Sequence, residues 1–320
     1  MYLVTKLYWM KPIIPPIDRV LLEKELTDDK VLRHTNNGNN ILYLITHHDS
    51  PNIMMEIGRL REISFRVAGG GTGKEVDIDV YDTMPNPYKQ LIVWDPDEKE
   101  ILGGYRYLVC SDTILDDDDG NCNLATARMF RFSKKFKEEY TPYMIELGRS
   151  FVQPVYQSTG RTGKGLYAMD NLWDGLGAVW LKHPHVKYFF GKVTMYTTYN
   201  REARDLILFF LNKYFPDRDN LVRPFEPLEI TTDLALLNSI LSGKTYGEDY
   251  KLLSQNVRAR GENIPPLINA YMNLSPTMKV FGTAMNYSFG DVEETAIMIT
   301  LNDMYDEKVE RHLKTYIRRS

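Results

Sequence analysis

Cysteine is nearly missing, with Cys110 and Cys122 the two examples in a chain of 320 residues. Two thiols cannot build a disulfide framework, so the fold has to rest on an ordinary hydrophobic core, and a reducing, cytoplasmic setting is expected. Long apolar runs are missing as well. The opening stretch MYLVTKLYWMKPIIPP is broken by Lys6, Lys11 and prolines, and so reads neither as a secretory leader nor as a membrane span. Any meeting with a membrane is then expected at its surface. An excess of positive charge is also absent: 39 basic against 43 acidic side chains leave a formal charge of -4, which gives no reason to expect nucleic acid as a partner. What is present is 43% hydrophobic residues, enough to core one large domain or two small ones.

The pattern along the chain alternates strands and helices. Residues 1–40 read as a peripheral extension, with Asp18 capping a short helix through Lys30 and NNGNN at 36–40 forming a loop. The core is expected to begin with a strand Ile41 to Thr46, followed by a helix from about Ile53 to Val67 with Met54, Ile57, Leu60, Arg61 and Phe65 at helical spacing. Strands Gln90 to Trp94 and Ile101 to Cys110, joined by the polar turn DPDEKE, predict an antiparallel hairpin. Further on, the spacing predicts a strand Val186 to Tyr196, a helix Arg201 to Tyr214, a helix Ile264 to Leu274, strands Thr277 to Gly282 and Glu294 to Leu301, and a last helix over 303–317. Residues 215–262 look helical and charged, without a strand signal, and read as an insertion. The expected architecture is α/β: a mixed, mostly antiparallel sheet of about seven strands flanked by helices, with one strand–helix–strand crossover at 143–196.

The stretch Tyr143 to Leu181 is the chemically unusual one. Glu146 and Arg149 flank Gly148 in an otherwise apolar strand, where unpartnered charges would be costly. Three residues apart, they point to opposite faces of a regular strand; a bulge at Gly148 would bring them to one face. The turn Ser158 to Gly165 that follows would then offer free amides at a helix start, where an anion is favoured.

Several motifs fail. GGGTGK at 69–74 lacks the leading glycine and the Ser or Thr of a phosphate loop, and follows a helix rather than a strand. The acidic run Asp116 to Asp119 is out of register for a calcium loop, since the first and twelfth positions fall on Leu115 and Thr126. The pairs His47–His48 and His183–His185 lack further ligands, so no metal is expected.

Taken in order, a set of short motifs carries a resemblance. They are Leu60-Arg61 with Phe65 four residues on, Asp79-Val-Tyr-Asp82, Gly104-x-Arg106 after the hairpin, Glu146-Leu-Gly-Arg149-Ser, and Pro265-Pro-Leu-Ile-Asn-Ala-Tyr271 before Phe281-Gly282. In this combination the chain resembles the GNAT superfamily, and within it the branch holding the acyl-homoserine-lactone synthases and the hemolysin-like N-acyltransferases that begin ornithine- and glycine-lipid synthesis. The resemblance covers roughly 41–312 and leaves the first forty residues and the 215–262 insertion unexplained. It implies a GNAT-like domain over 41–302, followed by a C-terminal helix over 303–320. One departure stands out: Phe151 occupies a position where the lipid-forming branch usually carries cysteine.

The resemblance implies transfer of a (3-hydroxy)fatty acyl group from an acyl carrier protein thioester, with acyl-CoA an alternative donor, to the amine of a small amino acid, glycine or ornithine. No bound cofactor is implied. Glu146 and Arg149 would be catalytic, with Glu146 the general base. Arg61, Phe65, Asp79, Asp82 and Arg106 would line the acceptor site. On the donor side, an amide near Phe151 or Val152 would hold the oxyanion, and Arg161, Gly163, Lys164 and Gly165 would cradle the phosphopantetheine arm. The basic segment Arg128 to Lys137, interleaved with Met129, Phe130, Phe132 and Phe136, would receive an acidic carrier protein or anionic headgroups, or is simply an amphipathic surface. A lactone-forming signal synthase and a non-catalytic module stay open at this level, as does a structural Glu146–Arg149 ion pair.

Overall fold

The structure, a computed structural model, describes residues 10–112, 122–157, 167–314 and 316. Among these, ten strands form two sheets: β1 (Val31–His34), β2 (Ile41–Ile45), β3 (Lys89–Asp95), β4 (Glu100–Val109), β5 (Phe130–Phe132), β6 (Met144–Val152), β7 (Tyr188–Met195), β8 (Val222–Pro224), β9 (Lys279–Asn286) and β10 (Val292–Thr300). The main sheet has 8 strands in the order β1-β2-β3-β4-β6-β7-β10-β9, and β5 pairs with β8 in a separate ribbon. Every pair in the main sheet is antiparallel except β6–β7, the crossover expected from the sequence.

Two corrections to the expected organisation follow. β1 lies in the segment read as a peripheral extension, yet it pairs with β2 at the sheet edge and raises the strand count from seven to eight. β8 lies in the segment read as a strandless insertion, and it pairs with β5. Both strands are too short to show an alternating pattern in the sequence, and Pro224 argues against a strand by its own chemistry.

Four longer helices accompany the sheet, α1 (Pro51–Ala68), α2 (Ala168–Lys182), α3 (Arg201–Tyr214) and α4 (Tyr246–Ala259), the last packing on α3. In α1 the apolar residues Ile53, Met54, Ile57 and Leu60 recur at helical spacing and pack on Tyr43, Ile92, Trp94 and Phe151. Pro51 starts this helix and Gly69, at φ 98°, ends it in the left-handed conformation that glycine takes without strain. On the opposite face α2 buries Leu172, Leu176 and Val179 against Leu91, Leu102 and Ile145. With both faces covered, the central strands β3 and β4 are buried along nearly their whole length. The last helix is cut short to Asp306–Val309, continuing as a wider turn over Glu310–Lys314.

Candidate active site

The site begins where two strands part. β6 and β7 pair in parallel from Met144–Tyr188 to Leu147–Gly191 and no further. At that last pair the strands are so close that a Cβ on Gly191 would come within 2.6 Å of the Leu147 carbonyl oxygen. Beyond it β6 is bulged. Its partners on β4 run Arg106–Gly148 and then Gly104–Phe151, so three steps on β6 answer two on β4. The extra residue sits at Arg149, which takes φ 49°, and not at Gly148, which keeps an ordinary φ. A non-glycine residue in the left-handed region carries strain of about 1–2 kcal/mol, so something else must hold it. The parity change puts Glu146, Gly148 and Phe151 on one face, the α1 side.

Glu146 is buried, and its carboxylate is held by three described groups. Thr126 N–H donates to Oε1 at 2.8 Å and Ala125 N–H donates to Oε2 at 3.2 Å. Both amides open the helical turn Thr126–Arg128, where the first N–H groups lack partners within the turn. The Tyr88 hydroxyl also donates to Oε2 and accepts from Ala125 N–H at 3.1 Å. Burial, and then the neighbouring Glu146 charge, push the Tyr88 phenol well above its ordinary pKa, so it remains a donor at neutral pH. No Glu146–Arg149 ion pair exists; the structural alternative suggested by the sequence is replaced by a carboxylate fixed on backbone amides.

Arg149 belongs to a second group of charges. Its Nε stands 2.8 Å from Asp77 Oδ2 and its Nη2 3.6 Å from Asp79 Oδ2, while the guanidinium lies 4.1 Å above the ring of Phe289. Phe65 meets the same ring edge-on at 5.0 Å. Arg106 Nη1 donates to Asp79 Oδ1 at 2.8 Å and to Asp82 Oδ2 at 3.2 Å. Arg61, fully buried, bonds Asp82 Oδ1 at 3.3 Å and the amide oxygen of Gln90. Asp79 and Asp82 also form a reciprocal capping box on the short helix Val80–Thr83, so the cap and the ion network are the same two residues. Burial alone would push the Asp82 carboxyl up; Arg61 and Arg106 outweigh it and hold the group well below the usual range. Asp77 goes the other way, since its burial exceeds the help from Arg149 and Arg61 and its pKa is raised.

The strand divergence opens a cavity of about 530 Å³. Of the sequence-predicted residues, Glu146, Arg149, Arg106, Phe65, Phe151 and Val152 line it. Arg61, Asp79 and Asp82 do not; they stand behind Arg106 and Arg149 and fix their position. Arg161, Gly163, Lys164 and Gly165 lie outside the described residues, as does the acidic run 116–119. The basic segment divides by alternation. Phe130, Phe132 and Phe136 are buried, whereas Arg131, Lys134 and Lys135 are exposed, and Arg131 faces Arg223 across the β5–β8 ribbon.

Sequence reasoning missed three charged residues here. Asp77 was signalled by the alternation Val76-Asp77-Ile78-Asp79, which puts both acids on one face. Lys192 on β7 and Glu294 on β10 form a pair at 2.7 Å that lines the cavity; Lys192 is the one charge in β7, whereas Glu294 stands beside Glu293 at the start of β10. Lys192 and Asn286 hold Glu294 below the usual carboxylate range against the effect of burial. One further group is a backbone amide. Gln153 N–H donates to the Leu102 carbonyl on β4 at 2.8 Å, so the Val152 amide, one residue earlier, points away from β4 to the opened side.

Among the described residues no cluster of side chains could hold a metal ion, and no helix is long and apolar enough to cross a membrane. The arrangement can take up a proton at Glu146 and offer an N–H to an oxygen bearing developing charge.

Residues 60–166 match the family model described as an acetyltransferase (GNAT) domain. The chain is 58% identical over 309 residues to the glycine N(alpha)-acyltransferase of Phocaeicola vulgatus, covering 97% of this chain and 94% of that protein. It is likewise 58% identical over 308 residues to the glycine N(alpha)-acyltransferase of Bacteroides thetaiotaomicron, covering 96% of this chain and 91% of the relative. A solved structure, that of the AHL synthase LasI, is similar at a TM-score of 0.37 and 12% identity, over 82% of this chain and 90% of that one. With more than half of its residues shared along nearly the whole length, the chain belongs to the family of these glycine N(alpha)-acyltransferases and is an acyltransferase with a GNAT-type fold.

Proposed function

We propose that this acyltransferase moves a fatty acyl group from a carrier-protein thioester to the amine of glycine, the first step toward an N-acylated aminolipid. The observation that carries the reading is the Glu146 carboxylate, fixed on two backbone amides and a phenol at the point where β6 and β7 part, facing the cavity. Glycine arrives as an ammonium ion. Glu146, directly or through one water, takes a proton from it. The freed amine attacks the thioester carbonyl, the C–N bond forms, and the carbonyl oxygen takes up negative charge facing the Val152 N–H. Collapse breaks the C–S bond; nitrogen loses its second proton, which leaves on the carrier's thiol, and Glu146 passes the first to water. Arg149 receives the carboxylate of glycine, with Asp77 and Phe289 holding its guanidinium in place.

Charge pairing favours glycine over ornithine. The acids lining the cavity among the described residues are Glu146 and Glu294, and Glu294 is matched by Lys192 at 2.7 Å. A second ammonium on the acceptor would find no spare carboxylate there. Carrier protein is favoured over acyl-CoA by the exposed cations Arg131, Lys134, Lys135 and Arg223 near the β5–β8 ribbon, which suit an acidic partner. Incubation with 3-hydroxyacyl carrier protein and glycine, ornithine or S-adenosylmethionine, read by mass spectrometry, tests this. N-acylglycine as the main product is expected; a dominant ornithine amide, a lactone, or no amide would overturn it.

A further inference from the structure

Two acids stand side by side near the start of β10, and alternation sends them to opposite faces of the sheet. Glu293 pairs with Arg204 of α3 at 3.1 Å and so ties sheet to helix. Glu294 turns the other way, into the cavity lined by Glu146 and Arg149, and meets Lys192 of β7 at 2.7 Å. Asn286 of β9 donates to the same oxygen, Oε2, at 3.0 Å. This second pair joins no helix, and it links two strands that already share an unbroken antiparallel ladder from Glu293–Met195 to Thr300–Tyr188. The two side chains are 5% and 15% exposed, and a buried ion pair is seldom a net source of stability. Folding alone therefore gives little reason for it.

The acceptor supplies the reason. Ornithine exceeds glycine by three methylenes and an amine, roughly 100 Å³ at the share a water takes in the liquid, or about a fifth of the cavity of about 530 Å³, so size is a weak barrier. Charge is a stronger one. Either amino acid would present its carboxylate to Arg149, and Arg149 stands near enough to Glu294 to help keep it ionised, so the side chain of an acceptor held there shares its space with Glu294. A free Glu294 would receive a second ammonium. With Lys192 in place, that ammonium would stand beside another cation instead, and a buried charge without its own partner is costly.

Resting on the function proposed above, we propose that Lys192 is a specificity-determining residue: its ammonium occupies Glu294 and so keeps diamino acids such as ornithine out of the acceptor site, while glycine, which needs no second acid, is accepted. The discrimination denies the wrong substrate its partner rather than adding a contact to the right one.

The test is the ratio of kcat/KM for ornithine and for norleucine, its uncharged counterpart of equal length, with one acyl carrier protein thioester as donor and glycine as the reference acceptor. It is measured in the wild type, in Lys192→Met, and in the double variant Lys192→Met with Glu294→Gln. Each ratio comes from one preparation, so any loss of folded enzyme cancels. The wild type is expected to favour norleucine by about tenfold or more, Lys192→Met to move the ratio toward ornithine by about tenfold or more, and the double variant to lose that shift. Lys192→Gln, which keeps a hydrogen bond to Glu294 without the charge, should repeat the shift and stands in if the methionine variant does not fold; failure of both to fold makes the lysine structural and overturns the proposal. A wild type that takes norleucine no better than ornithine, an unchanged ratio in the lysine variants, or a shift that survives in the double variant also overturns it, while the acyltransfer reading stands. A wild type that forms no amide with glycine overturns the proposed function itself, and the role of Lys192 with it.

Discussion

Arg149 adopts a left-handed backbone conformation with its guanidinium 4.1 Å above the ring of Phe289. The strained residue and its side-chain anchor are thus one unit, with Asp77 at 2.8 Å completing it. Arg149→Gly removes the anchor but also the strain, while Arg149→Ala removes the anchor and keeps the strain. Glycine should therefore be the more stable of the two by about 1 kcal/mol in denaturant titration, with both raising the KM for the amino acid. Equal stability would mean that the bulge is not strained.

Asp82 supports the network from below. Asp82→Asn leaves the fully buried Arg61 without its charge partner, which should destabilise the fold by about 3–5 kcal/mol. The effect should depend on pH. Because the folded-state pKa of Asp82 is depressed, its stabilising contribution is complete above the unfolded value of about 3.9 and is lost as pH falls through the folded value. The gap between wild type and variant should be widest at neutral pH and should narrow below about pH 4, measured as denaturant midpoints. An identical gap at both pH values would contradict the assignment.

The exposed cations are a docking question. Replacing Arg131, Lys134 and Lys135 by glutamate should raise the KM for acyl carrier protein about tenfold and leave the melting temperature and the KM for glycine nearly unchanged. Among the described residues Lys134 and Lys135 pair with Glu138 and Asp219 at exposed positions, so little stability depends on these pairs. An unchanged KM for the carrier would sink this surface as its landing site.

Much of this was legible in the chain, and the illegible parts have physical causes. The helix at Pro51–Ala68 and the hairpin β3–β4 followed from periodicity and turn chemistry, because long elements repeat their pattern often enough to be read. The Glu146–Arg149 strand was legible as an anomaly, but the pattern did not say which residue would bulge. Glycine is the natural guess, yet Arg149 takes the positive φ because Asp77 and Phe289, distant in sequence, hold it there. The Glu146 partners were illegible for the same reason: two are main-chain amides from a loop twenty residues earlier, which carry no side-chain signature. β1 and β8 were too short to speak, and the Lys192–Glu294 pair becomes visible only once β7 and β10 are known to be neighbours.

The central claim is that one carboxylate, held at the mouth of the parted strands, accepts the proton of the attacking amine. Single-turnover kinetics of Glu146→Gln with a preloaded acyl carrier protein and saturating glycine test it most directly, alongside a melting curve. The glutamine keeps one oxygen to accept from the Thr126 amide, its NH2 can donate to the Tyr88 hydroxyl, and the Ala125 amide keeps that hydroxyl as its acceptor, so the account predicts a folded protein whose rate of amide formation falls about 100-fold or more. A folded variant that turns over at the wild-type rate would contradict it.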